Sequence, residues 1–217
     1  MVLAELACPS LVEKATICFM SVPDPIQAAF SEAQSTLAAF MADPQCMEGV
    51  AKFAAAAERT LEAKGLLMSC GNGGSMCDAM HFAEEFTGRF RSDRRALPAL
   101  AFSDPSHLTC IANDFGYDEI FAREVDAYGK EGDLLLAIST SGNSPNILRA
   151  IAAAKQRKIH VVGLLGKGGG QALGLVDTAI VVPSATTSDR IQELHIKVIH
   201  IVIEAVERRL CPENYAD

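Results

Sequence analysis

The chain has 217 residues, 49% of them hydrophobic and 21% charged, with a formal net charge of −8. That is the length of one domain with room for a sizeable core, which excludes a disulfide miniprotein and an extended disordered chain. The acidic balance offers no basic field to a polyphosphate backbone, and Lys, Arg, Asp or Glu interrupts every apolar run before it reaches membrane-spanning length, so a small ligand is expected, with no nucleic acid and no membrane.

Residues 1 to 20 show no helical pattern and no basic stretch before an apolar one, and read as an N-terminal extension. Two Ala-rich segments with apolar residues at helical spacing follow, 24 to 42 and 45 to 64, parted by Asp43 and Pro44. After Gly65 the pattern changes to short apolar runs at 66–69, 97–103, 133–139, 159–165 and 178–182, separated by helix-length segments. This alternation predicts an α/β fold in which crossover helices cover a five-stranded parallel sheet. The GKGGG run at 166–170 lacks the Ser or Thr of a nucleotide-binding phosphate loop and reads as a flexible turn. The last segment, 188–210, is one long helix, apolar on most faces, and such a helix is expected to pack against another subunit. Seven cysteines with no Cys-x-x-Cys pair suggest neither a disulfide framework nor a zinc ribbon, and the expected compartment is the reducing cytoplasm.

Parallel sheets bind ligands beyond the carboxyl ends of their strands, and two such loops here have phosphate-binding character. SCGNGGS, Ser69 to Ser75, has glycines that let backbone amides approach an anion, with Ser75 as a helix cap and Asp78 at capping-box spacing. STSGNSP, Ser139 to Pro145, has four hydroxyls and a proline suited to the first position of a helix. Either loop alone is also ordinary turn chemistry; together in one small domain they favour a phosphate monoester held by hydrogen bonds and helix dipoles. His81 and Glu85 stand one turn apart on the helix after the first loop, where they can grip a metal or a substrate, although such a pair is often a surface ion pair. Gln192, His195 and His200 interrupt the apolar last helix. Gln192 and His200 lie about 12 Å apart along an ideal helix, an obstacle to one shared metal. His195 reads as a packing residue.

The segments SCGNGGS, CDAMHFAEEFTGR, NDFG, ISTSGNS and DRIQELHIKVIH closely resemble the phosphoheptose isomerases of the sugar isomerase (SIS) domain family. The resemblance spans residues 21 to 210, leaving 1 to 20 as the extension and 211 to 217 as a tail. It implies a single SIS-type three-layer αβα sandwich with N-terminal helices and a long C-terminal helix, and an enzyme that converts D-sedoheptulose 7-phosphate to D-glycero-D-manno-heptose 7-phosphate on the way to lipopolysaccharide heptose. It also implies a homotetramer with active sites at subunit contacts and one zinc ion per subunit, held by His81, Glu85, Gln192 and His200. The implied substrate contacts are Asn72, Gly73, Gly74, Ser75, Glu85, Asn113, Asp114, Ser139, Thr140, Ser141, Ser144 and Gln192. Glu85 is the implied base and His200 the implied acid. Met76 and the SATT turn at 184–187 depart from the family pattern. The rival reading is a non-catalytic SIS protein that binds partner proteins, of the type that associates with the bacterial replication initiator.

Overall fold

The structure is a computed structural model and describes residues 24 to 216. The expected extension at 1 to 20 lies outside the described residues. Two helices lead, α1 (Asp24–Ala42) and α2 (Pro44–Glu62). The break between them is local chemistry: the Asp43 side chain accepts the amide of Gln45 at 2.8 Å, and Pro44 occupies the first turn, where its missing N–H costs nothing.

The rest alternates strand and helix: β1 (Leu67–Gly71), α3 (Gly74–Thr87), β2 (Ala99–Ala101), α4 (Pro105–Asp114), α5 (Ile120–Tyr128), β3 (Leu134–Ser139), α6 (Pro145–Gln156), β4 (His160–Leu165), β5 (Thr178–Val181) and α7 (Ser188–Leu210). All strand pairs are parallel, in the order β2-β1-β3-β4-β5. β2 is shorter than the seven-residue apolar run that announced it. It lies at the sheet edge and follows Pro98, which has no amide to give a ladder.

Alternation along the central strands builds two cores. Leu134, Leu136, Ile138, Val162 and Leu164 face α2, α3 and α7, while Leu135, Ala137, Val161 and Leu165 face α4, α5 and α6. The result is the expected three-layer αβα sandwich. The chain departs in opposite directions from β1 and β3, which are neighbours, so the loops that follow them lie side by side at the switch point of the sheet. Past α7, a short 3₁₀ turn at Pro212–Tyr215 folds back so that the Tyr215 hydroxyl donates to Glu207 at 2.7 Å.

Candidate active site

The rotation of α3 is set by its aromatic residues. Phe82 and Phe86 are fully buried, edge to face at 5.0 Å, and Phe82 meets Phe53 of α2 at 5.8 Å. Truncating one such side chain typically costs about 3–5 kcal/mol, so the helix has little freedom to turn. His81 and Glu85 then fall at the edge of its buried face, towards α7.

There they meet His200. The Nε2 atoms of His81 and His200 lie 2.8 Å apart, and Glu85 Oε1 is 3.3 Å from His81 Nε2. One ligand atom from each of the three residues lies within 4.8 Å of the other two. Glu84, which sequence reasoning passed over, brings a second carboxylate to the other side of the ring, 3.1 Å from His81 Nδ1. Burial and the nearby His81 and Lys197 hold the His200 imidazole below its ordinary value, which favours the neutral ring that a metal requires. Burial and the adjacent Glu84 raise the Glu85 carboxyl, against the opposing pull of His81 and Arg94. Two imidazoles and a carboxylate converging in this way suit a borderline divalent ion such as zinc.

Gln192 stands two turns earlier on α7, away from His200 as helix geometry requires. Its amide donates to Ser75 Oγ at 3.4 Å and lies so close to Gly74 that a Cβ there would fall 2.7 Å from Nε2. Ser75 is therefore not the cap that its position suggested. The helix begins at Gly74 after Gly73, whose φ of +56° suits glycine, and no side chain caps it. Asp78 completes no capping box: its Oδ2 is buried without a partner among the described residues, and burial lifts its carboxyl to about 6.

The two loops are tied by a pair of amides. Asn72 Nδ2 donates to Asn146 Oδ1 at 2.9 Å and Asn146 Nδ2 returns a bond to Asn72 Oδ1 at 2.8 Å, with the Tyr117 hydroxyl on the same oxygen at 3.1 Å. Neither Asn146 nor Tyr117 stood out in the sequence, where one reads as an ordinary first-turn residue and the other as a loop aromatic. In the serine loop, Ser139 Oγ accepts the Gly142 amide at 3.1 Å and sits 3.3 Å from Ser144 Oγ. Ser141 Oγ accepts the Asn143 amide at 3.2 Å, and Thr140 reaches Ser188 at the start of α7, also at 3.2 Å. Asn113 and Asp114 end α4, joined by a 2.7 Å bond and exposed.

The GKGGG run is a packed wall and not a loose turn. Gly168, Gly169 and Gly170 all have positive φ, and the segment lies against the serine loop so tightly that a Cβ on Gly170 would sit 2.4 Å from the Ser141 carbonyl oxygen. Asn143 Oδ1 takes the Gln171 amide at 3.0 Å, and the Gly142 carbonyl takes that of Ala172, also at 3.0 Å. His195 is fully buried; its Nε2 donates to the Leu165 carbonyl at 3.1 Å, which makes it a packing residue.

Residues 30–166 match the SIS domain family. The phosphoheptose isomerase of Fusobacterium nucleatum is 58% identical over 151 residues, 70% of this chain and 77% of that protein. The Proteus mirabilis phosphoheptose isomerase is 51% identical over 187 residues, 86% of this chain and 97% of that one. Among solved structures, the phosphoheptose isomerase of Neisseria gonorrhoeae superposes with a TM-score of 0.80 at 36% identity, covering 86% of this chain and 99% of its own.

Proposed function

The chain belongs to the phosphoheptose isomerases of the SIS domain family, and from that membership we propose that it converts D-sedoheptulose 7-phosphate to D-glycero-D-manno-heptose 7-phosphate in the cytoplasm, the first step toward lipopolysaccharide heptose. It is an aldose–ketose isomerase acting on a sugar phosphate. The observation that carries the detailed reading is the meeting of His81, Glu85 and His200 between α7 and α3, the helix that leaves the first of two switch-point loops lined with amides and hydroxyls. A partner-binding protein of the replication-initiator type has no need of such a cluster, and the relatives that share half of this sequence are isomerases.

In this reading the phosphate sits over the serine loop, held by Ser139, Thr140, Ser141 and Ser144 and by the start of α6, where helix N-termini favour anions. Asn72, Gly73, Gly74, Ser75 and Gln192 hold the sugar hydroxyls on the side of β1, and Asn113 and Asp114 close the far side. Glu85 removes the proton from C1 of the ketose and returns it to C2, and His200 moves a proton between the two oxygens, so the enediol forms and collapses with no net change in protons. Zinc would be held by His81, Glu85 and His200, whereas Gln192, the fourth donor that the family resemblance implies, stands two turns away beside Ser75; when bound, the ion would supply Lewis acidity that polarises the carbonyl and offsets the negative charge of the enediolate.

The assembly in this reading is a homotetramer with its sites at subunit contacts. Its support is apolar surface: Phe30 is 73% exposed, Met41 63% and Ile201 50%, on α1 and α7. Light scattering should report four times the 23.1 kDa chain mass, and a monomer at micromolar concentration would remove this part of the reading.

The deciding experiment is incubation with sedoheptulose 7-phosphate, with and without zinc, followed by NMR of the products in deuterated water. The aldose should appear with solvent deuterium at C2. Glu85→Gln, which keeps size and loses the base, should cut kcat by about 10²–10⁴-fold and stop the exchange. No product from the wild type under either condition would overturn the proposal; wild-type exchange in Glu85→Gln would move the base elsewhere.

A further inference from the structure

We propose that Arg94 is a positioning residue for the isomerase site: its guanidinium, buried between the end of α3 and the last turn of α7, sets Glu85 and His81 against His200. The inference rests on the functional reading above and assigns a task to a residue outside the loops and the cluster. Arg94 lies in the irregular stretch between α3 and β2, and its hydrogen bonds run in two directions. Nη2 donates to the Glu85 carbonyl at 2.6 Å, and Nη1 donates to the carbonyls of Phe86 at 2.9 Å, Gly88 at 3.2 Å and Arg95 at 3.1 Å. Nε donates to Glu207 Oε1 of α7 at 2.6 Å, and the other oxygen of Glu207 is taken by the Tyr215 hydroxyl. Both charged side chains are only 1% exposed.

The last-turn carbonyls of a helix have no amide partners within it and form the negative end of its dipole. Arg94 supplies α3 with donors and a positive charge at that end. Glu85 is thereby held twice, with its carboxylate in the cluster and its carbonyl on the guanidinium. The same logic holds on α7, where Glu207 follows His200 by seven residues and falls on the same stripe of the helix. One planar fork thus fixes the separation of the two helices that must bring His81 Nε2 to within 2.8 Å of His200 Nε2. Lysine keeps the charge but is a single point with flexible donors, and cannot span the carbonyls and the carboxylate at once. The ion pair of Arg209 with Glu58 also ties α7 to another helix, but it is largely exposed, with Arg209 62% accessible, and touches no carbonyl of α3.

The test compares full-length Arg94→Lys, Tyr215→Phe and the control Arg209→Gln, each checked for helicity and assembly. Arg94→Lys should lower kcat about 10–100-fold with KM changed less than about twofold, and weaken cobalt(II) binding in chelator competition by a similar factor, the usual effect of losing a group that orients metal ligands. Its crystal structure should show the His81 and His200 rings moved apart. Tyr215→Phe should give a smaller loss with the same split, and Arg209→Gln should match the wild type. Wild-type kcat and cobalt affinity in Arg94→Lys would overturn the proposal, as would equal losses in the control. Should Arg94→Lys fail to fold, unchanged kcat in Tyr215→Phe overturns it. Should the wild type not isomerise the sugar, the functional reading falls separately, and cobalt affinity with the ring separation decides the role of Arg94.

Discussion

Acidification from pH 7 to pH 5 should cost the protein about 2 kcal/mol through His195 alone, at 1.36 kcal/mol for each unit by which a pKa differs between folded and unfolded chain. In the fold, Nε2–H of His195 is bound to the Leu165 carbonyl, whereas Nδ1 is buried with no partner among the described residues. A second proton would place an unpaired N–H and a charge in the core, and burial holds the imidazole down to about 4 from its ordinary 6.5. Well above pH 6.5 the ring is neutral in both states and contributes no pH dependence. Between 6.5 and 4 the unfolded chain takes up the proton and the folded chain does not, so stability falls with pH until both are protonated. Asp78 and Glu124 act in the opposite sense, because burial raises their carboxyls to about 6 and about 7, and the folded form binds protons more tightly there. The assay must therefore be a double difference: urea unfolding at pH 7 and pH 5, at fixed protein concentration, of the wild type and His195→Gln. The variant starts lower at pH 7, having exchanged a well-placed hydrogen bond worth about 1 kcal/mol, and should lose about 2 kcal/mol less on acidification. Identical pH dependence in the two proteins would refute this reasoning.

Three further outcomes test the loops. Ser141→Ala and Ser144→Ala should each raise KM more than they lower kcat, because the phosphate they hold does not change during the reaction; steady-state kinetics that leave KM untouched would place the phosphate elsewhere. Gly170→Ala forces a Cβ to 2.4 Å from the Ser141 carbonyl at a φ of +54°. Left-handed strain of about 1–2 kcal/mol and overpacking of about 1–3 kcal/mol should lower Tm and raise KM together, whereas an unaltered Tm would show that the glycine wall gives way freely. Asn146→Ala removes both amide bonds to Asn72, and because Asn146 is 1% exposed the loss should be about 1–3 kcal/mol in unfolding free energy, with a rise in KM; Asn146→Asp, which keeps one acceptor, should recover part of each.

What is local in this protein is legible in its sequence. The starts of α2 and α6, the five apolar strands, the one-turn spacing of His81 and Glu85, and the two loops at strand ends all depend on residues within a few positions of one another. The family motifs extended that reading to Gln192 and His200 because they carry information from relatives that spacing does not. What the sequence leaves open is register between distant segments. Asn72 pairs with Asn146 across 74 residues, Arg94 with Glu207 across 113, and His81 with His200 across 119. No periodicity encodes such distances; they follow from the order β2-β1-β3 and from the burial of Phe53, Phe82 and Phe86, which turns α3 towards α7. Ser75 and the GKGGG run show the same division from the other side. Composition made one a cap and the other a loose turn, but Gln192 approaches the first and the serine loop packs against the second, because close packing in the folded chain outweighs a weak local preference.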